Sequence, residues 1–542
     1  MLRLTEIRLP LDHPEDALAA AAAERLGVAQ ADIRSLKLVR RAYDARKRSQ
    51  IVWVYSLDVS LADSQAENAA IAADPRVRPS PDTDYQLVRR ATGLERHRPI
   101  VIGAGPCGLF ATLILAQMGF RPLLLDRGKP VRERTKDTWG FWRRAELNPE
   151  SNVQFGEGGA GTFSDGKLYS QIKDPRHLGR KVLQEFVIAG APPEILTEAH
   201  PHIGTFRLVG MVERMRATIE ALGGEYRFQT KVTGLEFRQA GGGRRVAAVL
   251  TEDGQRIAAD QVVLAVGHSA RDVFAWLHAQ GVYLEAKPFS IGVRIEHPQS
   301  LIDRARFGDF AGLKALGAAD YRLSHACRNG RTAYSFCMCP GGTVVAAASE
   351  PGRLVTNGMS QYSRNERNAN AALVVDVQPE RDYPGHPLAG IDLQRFWEAK
   401  AFAAGGSDYR APAQRVGDFL SGQPSTQLGN IAPSYRPGVR PGDLTTCLPD
   451  FVVDALREAL PAFGRRMAGF DQPDAVLTGI ETRTSSPVRI RRGADFQSLN
   501  IGGLYPAGEG AGYAGGILSA AIDGIKVAEA VAEQAGADLK RD

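Results

Sequence analysis

Gly103, Gly105 and Gly108 stand in the order G-x-G-x-x-G, directly after an apolar run at 99–102 and at the start of an apolar stretch that reaches Gly119. Glycines at this spacing are suited to holding a pyrophosphate. Gly103 permits the tight turn, Gly105 lets the backbone approach the phosphates, and Gly108 lets the following helix pack on the strand. The helix start, with Pro106 and Cys107 in it, offers unpaired N–H groups and a partial positive charge to the anion. Asp126 lies 18 residues after Gly108, at the end of the LLL run, with Arg127 beside it. An acid at that place accepts hydrogen bonds from an adenosine ribose. The alternative is a glycine-rich turn that binds nothing. A strand, a helix, a second strand and a terminal acid all in register favour a dinucleotide.

A second glycine turn lies near the other end of the chain. Residues 504–507 read as a strand that ends in Gly508-Glu509-Gly510, and Gly515-Gly516-Ile517 open a helix expected to run to about Gln534. The first turn alone does not separate FAD from NAD. A second helix N-terminus suits the pyrimidine edge of a flavin, where reduction places negative charge. Glu509 is placed to hydrogen-bond the ribitol or a phosphate-side hydroxyl. A glycine-rich helix that merely packs on a sheet is the plainer alternative. The pair of turns points to FAD.

Two further segments carry reactive side chains. Five glycines fall between 156 and 166, interleaved with Thr162, Ser164 and Asp165 and followed by Lys167. Ordinary surface turns seldom need so many, and Lys167 could stabilise a reduced flavin anion. Cys337-Met338-Cys339-Pro340-Gly341-Gly342 offers a redox-active thiol, or a pair, near the flavin. Against this, a Cys-x-Cys disulfide closes a very small, strained ring, and buried cysteine also serves as a small hydrophobe. Packing leads that comparison. No second Cys-x-x-Cys or paired-His cluster accompanies the segment, so no metal site is expected. Arg483, Arg489, Arg491 and Arg492 share one short stretch, where Arg489 could hold an anion; a solvated basic strand is as good a reading.

These residues need elements to hold them. The chain of 542 residues is 44% hydrophobic and 24% charged, the balance of an ordinary globular protein of several domains. Residues 1–62 read as a small α+β module, of ferredoxin-like type, and 63–97 as a polar linker. Residues 98–284 form a first part of a Rossmann-like FAD-binding domain, 285–480 an inserted α+β substrate or cap domain, and 481–542 the returning part of the FAD-binding domain. The fold class expected is therefore α/β with a discontinuous dinucleotide domain. Five cysteines at sparse spacing do not resemble a secreted disulfide framework. No signal-peptide pattern and no apolar run near 18 residues is present, so a cytoplasmic location without a membrane span is expected.

The segments VIGAGPCGLFATLILAQMG, QFGEGGAGTFSDGKL, FCMCPGG, RTSSPVRI and LYPAGEGAGYAGGILSAAIDG together resemble a bacterial family of FAD-dependent dehydrogenases with an N-terminal α+β extension. The likeness runs over most of residues 1–535 and lies within the glutathione-reductase-like FAD-binding superfamily. It implies bound FAD and leaves the substrate open. By the same resemblance, a Gly-Gly-x-Ser/Thr stretch crosses the pyrophosphate and flanks the flavin N5, which places Gly159, Gly161, Thr162 and Ser164 there. Gly267 matches the superfamily's glycine after a buried strand, and the Val232 backbone matches its adenine contact. Members usually carry Asp where this chain has Glu509, which keeps the acceptor but lengthens it by a methylene. No second G-x-G-x-x-G in a βαβ setting follows residue 130, and no Cys-x4-Cys follows the first strand–helix unit. An NAD(P)H donor would therefore dock transiently, or the substrate itself is the reductant.

The function expected is an FAD-dependent oxidoreductase that moves a hydride between flavin N5 and a small substrate. Two other readings stay open. The basic hairpin Arg40, Arg41, Arg46, Lys47 and Arg48 could serve an RNA-modifying or RNA-associated protein, although a solvated turn explains it as well. A flavin-binding redox sensor that performs no catalysis is the third. The sequence does not indicate an oligomeric state.

Overall fold

The computed structural model describes residues 1–93 and 97–538. At the N-terminus the order is strand Leu2–Pro10, helix Ala17–Leu26, strands Ile33–Asp44 and Val52–Leu61, helix Ser64–Ala73 and strand Val77–Pro79. All three strand pairings are antiparallel, and Leu2–Pro10 lies between Val52–Leu61 and Val77–Pro79. This is the ferredoxin-like βαββαβ arrangement. Alternation along Val52–Leu61 buries Trp53, Tyr55, Leu57, Val59 and Leu61 against Ala22, Leu26 and Ala70.

The expected linker at 63–97 needs correction. Its first part supplies the second helix and the fourth strand of this module. Asp63 caps that helix by accepting from the Gln65 N–H at 2.8 Å. A polar, alanine-rich run conceals the helix, because only Ala70 of it is buried.

The module is docked on the rest of the chain. Tyr43 packs edge-on against Phe307, with ring centroids 5.5 Å apart, and Ala45 and Ile51 join the largest core. Backbone bonds run from the Arg41 N–H to Thr197 O and from the Ala199 N–H to Arg41 O. Arg41 pairs with Glu198, and Arg46 with Asp44, so part of the basic hairpin is spent on internal ion pairs. The Arg41–Glu198 pair is partly exposed, at 39% and 30% for the two side chains. We therefore expect Glu198→Ala to cost less than about 1 kcal/mol, and Tyr43→Ala about 2 kcal/mol through lost aromatic burial. Denaturant unfolding of the two variants checks the order; an unchanged midpoint for Tyr43→Ala would show that the hairpin does not hold the module in place.

The second sheet is parallel, in the order Leu504–Pro506, Val262–Leu264, Ile100–Ile102, Leu123–Leu125, Glu225–Arg227. Its three inner strands are continuously apolar and buried, and the edge strand Leu504–Pro506 is buried too, as a sheet covered on both faces requires. Helices Pro106–Gln117 and Ile517–Asp538 pack against each other on one face. The strand from the chain's end thus lies two places from the strand that precedes Gly103. This is the discontinuous Rossmann-type arrangement.

The third sheet has seven strands, ordered Ser324–Ala326, Thr332–Cys339, Asn368–Val377, Phe289–Pro298, Val476–Glu481, Ala411–Arg415, Val439–Pro441. It carries helix Asp450–Arg466 and centres the largest apolar core. Among the described residues no helix is long and apolar enough to cross a membrane.

Candidate functional site

Parallel pairing of Ile100–Ile102, Val262–Leu264 and Leu504–Pro506 brings the turns after these strands to one edge. A crevice at the carboxyl ends of such strands is the usual ligand position in an open α/β sheet. Gly103 has φ +103°, and a Cβ there would lie 2.4 Å from Ala265 O. A Cβ on Gly108 would lie 1.8 Å from Gly103 O, so close packing alone demands glycine at both places. Gly105 differs, since an added Cβ would meet only the Gly159 Cα at 3.7 Å. Its freedom is on the side left open for a ligand. Around the second turn, a Cβ on Gly510 would lie 2.5 Å from Gly267 O, and one on Gly508 would lie 2.8 Å from the Cys107 Cβ. Added Cβ atoms on Gly267, Gly515 and Gly516 would meet nothing within 4 Å.

Residues 156–168 connect these turns. The Gly158 N–H donates to Ala104 O at 2.8 Å, and a Cβ on Gly159 would lie 2.7 Å from the Gly105 Cα. A Cβ on Gly161 would lie 2.8 Å from Ile517 Cγ1, at the start of the C-terminal helix. Arg134, fully buried, fixes the segment from beneath by donating to Asn152 O, Val153 O and Glu157 O at 2.6–2.8 Å. Burial pushes the Glu157 carboxyl up to about 7, although it accepts from the Val131 N–H. Neither Arg134 nor Glu157 was a sequence-level candidate, because Arg134 holds mainly backbone carbonyls and Glu157 meets the Val131 amide and the distant Arg216, at 3.3 Å, with no spacing that announces either.

Several predicted residues are held by the protein itself. Asp126 accepts from the Ala104 N–H at 2.7 Å and the Gly128 N–H at 2.8 Å, and burial raises its pKa. It clamps the first turn, which leaves only its remaining lone pairs for a ligand. Arg127 pairs with Glu150 and Asp272 and lies over Phe155, 4.4 Å from the ring centre. Ser164 Oγ donates to Gly161 O at 2.7 Å and accepts from the Gly166 N–H at 3.0 Å. Thr162 is buried against Arg134, with 3.4 Å between Oγ1 and Nη1. Val232 is buried in a strand pair with Thr251. Glu509 faces His268 Nδ1 at 3.3 Å, while His268 Nε2 is buried without a hydrogen-bond partner. The buried orphan nitrogen and the space beside Gly105, Gly267, Gly515 and Gly516 are what a flavin dinucleotide would need here; the residues fit it.

Lys167 and the two cysteines come together. Lys167 Nζ donates to Met338 O, between Cys337 and Cys339. Asp165 holds Arg364 through a bidentate pair, and the Arg364 guanidinium keeps the Asp165 carboxyl low against the cost of burial. Arg294 donates to Cys337 O at 2.9 Å and pairs with buried Glu481, whose pKa burial lifts to about 7. A cleft of about 700 Å³ opens next to this segment, lined in part by Trp139, Trp142, Thr205, Phe206, Met359 and Ser360. Thr205 Oγ1 donates to Ser164 O at 2.8 Å, which joins the cleft to the 156–168 segment. Of the arginines at 483–492, Arg483 is paired with Glu398, Arg489 and Arg491 face Glu285, and Arg492 is paired with Asp523.

One grouping was invisible in the sequence. His325, Cys327 and Glu458 bring ligand-type atoms within 4.8 Å of one another, although no metal site was expected. Glu458 comes from a helix 131 positions after Cys327, so no spacing motif announces it. Its carboxylate is also engaged by the Arg328 N–H and Nε.

The chain matches family models, a relative and solved structures. Residues 288–484 match the family model of an FAD-dependent protein, C-terminal domain-like, and residues 154–276 that of a flavin containing amine oxidoreductase. Residues 1–60 match a domain of unknown function. A protein of Clostridium beijerinckii, described as uncharacterised, is 45% identical over 534 residues, covering 98% of this chain and 99% of that one. Among solved structures, a 3-ketosteroid-Δ4-(5α)-dehydrogenase from Rhodococcus jostii is 13% identical, with a TM-score of 0.33, and the match covers 82% of this chain and 99% of that one. A glycerol-3-phosphate dehydrogenase from Bacillus halodurans complexed with FAD is also 13% identical, with a TM-score of 0.34, over 83% and 66% of the two chains.

Proposed function

We propose that this chain, which belongs to one family with the Clostridium beijerinckii protein and whose residues match two flavin-dependent family models, is a dehydrogenase exchanging a hydride between flavin N5 and a small substrate held against residues 159–168. Bound FAD supplies a ring that takes up or gives two electrons with a proton. The chain supplies position and charge. The observation that carries this reading is that one segment, 156–168, touches both glycine turns and the Cys337–Cys339 strand end.

In this reading Gly103, Gly105, Pro106, Cys107 and Gly108 hold the pyrophosphate, with Asp126 and Arg127 at the adenosine end and the Val232 backbone by the adenine. Gly159, Gly161, Thr162 and Ser164 form the wall that crosses it. Gly267, Gly508, Glu509, Gly515, Gly516 and Ile517 close the flavin end. Lys167 keeps its proton, since Asp165 offsets the cost of burying the ammonium, and it provides positive charge where the reduced ring gathers negative charge. The cleft beside Thr205 is the place for the substrate.

Absorbance of the purified protein, identification of the released chromophore by mass, and anaerobic titration with NADH, NADPH and candidate metabolites test the proposal. A colourless protein that refuses added FAD would sink it, as would a flavin that no donor reduces. Lys167→Met is expected to keep FAD content and lower the rate of flavin reduction at least tenfold, about 1.4 kcal/mol in barrier, with a more negative flavin potential. An unchanged potential would show that Lys167 only braces the Met338 carbonyl.

A further inference from the structure

Strand Thr332–Cys339 pairs regularly with Asn368–Val377 from Ala333↔Val375 to Phe336↔Ala372, then resumes at Cys339↔Asn370. Two steps on the partner strand therefore span three on this one, so a bulge inserts one residue. Cys337 takes up the extra residue with φ +43°, in the left-handed region that non-glycine residues seldom adopt. In a regular strand, residues two apart share a face but stand roughly 6–7 Å apart along it. At the bulge the Cys339 thiol turns back on the strand, and Cys339 Sγ donates to Cys337 O at 3.4 Å.

The two thiols are not equivalent. Cys337 is half-buried, while Cys339 is fully buried behind it, against Gly342 and Gly358. Arg294 and Lys167 bind the carbonyls of Cys337 and Met338 and bring two cations to the segment. The Cys339 thiol, and then these cations, hold the Cys337 thiol below its ordinary value, while Cys339 is pushed up. An accessible thiolate with a protonated thiol behind it is the arrangement of an attacking and a resolving cysteine.

We propose that Cys337 and Cys339 are a redox-active dithiol that reduces small disulfides, with Cys337 attacking and Cys339 resolving. The Cys337 thiolate attacks one sulfur of R–S–S–R, forms Cys337–S–S–R and expels RS⁻. Cys339 then gives up its proton and attacks the Cys337 sulfur, which forms the Cys337–Cys339 disulfide and expels the second RS⁻. The two thiolates take up two protons, one from Cys339 and one from solvent. The substrate is reduced by two electrons and the pair oxidised by two. This rests on the function proposed above only for the return of those electrons, which come from flavin reduced by a hydride donor.

The test uses the full-length holoprotein, reduced and desalted under argon, with bis(2-hydroxyethyl) disulfide as probe. The expected result is two equivalents of mercaptoethanol released and a peptide containing Cys337 and Cys339 that is 2 Da lighter. Cys339→Ser should stop at one equivalent, with a mercaptoethanol adduct on Cys337. Cys337→Ser should lower the reaction at this pair at least tenfold, with flavin absorbance retained as the check on folding. Wild-type protein in which both thiols remain alkylatable after the probe would overturn the proposal. So would Cys337→Ser reacting like wild type. The thiol readout is independent of the flavin. A reactive pair beside a flavin that no hydride donor reduces would fail the proposed function alone, and an inert pair beside a reducible flavin would fail this inference alone.

Discussion

Gly105→Val is expected to give a folded protein that does not retain flavin. A valine Cβ would find only the Gly159 Cα, 3.7 Å away, and Gly105 has φ −75° and extended ψ, a conformation that valine adopts freely. The fold thus has no reason to object. The added methyl groups instead fill the side from which a pyrophosphate would meet the helix start. A loss of at least a hundredfold in FAD affinity is expected, about 2.8 kcal/mol, with circular dichroism and the unfolding midpoint close to wild type. The comparison with Gly108→Val makes the result diagnostic. There the Cβ would lie 1.8 Å from Gly103 O, so the strand–helix unit itself would have to move and folding should suffer along with binding. A yellow, stoichiometric Gly105→Val protein would mean that this turn does not face the cofactor.

Glu398→Gln is expected to produce the largest loss of stability. The Glu398 carboxylate is fully buried and accepts from Arg271 at 2.6 and 2.9 Å, from Arg483 twice at 3.1 Å, and from Thr482 Oγ1 at 2.7 Å. Arg271 follows the parallel-sheet strand Val262–Leu264, while Glu398 lies in the helix Ala389–Ala404, so the cluster joins the two larger sheets' surroundings. Removing the charge leaves the buried Arg483 guanidinium without its carboxylate and Arg271 with Glu350 alone, and a broken buried pair of this kind costs about 3–5 kcal/mol. The pH dependence has a definite sign. Burial alone would raise the Glu398 pKa, but Arg271 and Arg483 overcome it and hold the folded value far below the ordinary carboxylate range. A lowered folded value contributes stability that is complete above the unfolded pKa, about 4.3 for Glu, and is lost as the pH falls toward the folded one. The gap in unfolding free energy between wild type and Glu398→Gln should therefore be full at neutral pH and shrink below about pH 4. A gap that is small at pH 7, or that grows in acid, would contradict this account.

Parts of this protein are legible in one dimension for identifiable reasons. The apolar strand, the three glycines and the acid after the next strand announce the dinucleotide unit because steric limits on a tight βα turn are local. The C-terminal strand and Gly515-Gly516-Ile517 are legible for the same reason. Helix Ser64–Ala73 was missed because it buries one residue and shows no apolar face. The His325, Cys327 and Glu458 group was missed because its members meet only across a strand and a distant helix.

The amino-acid order by itself determined the cofactor class, the parallel sheet that must carry it and the segments that must meet. Backbone conformational freedom and apolar periodicity are properties of a few neighbouring residues, and they survive without knowledge of the rest of the chain. The tertiary structure alone decided which polar side chains are spent and which are left for chemistry. It ties Asp126 to two backbone amides, buries Thr162 on Arg134, pairs Glu509 with His268 and sets the Cys339 thiol against the Cys337 carbonyl at a bulge that a distant partner strand imposes. Those outcomes depend on contacts between residues far apart in sequence, formed in a low-dielectric interior where an unpaired group is costly, and no spacing rule within the chain encodes them.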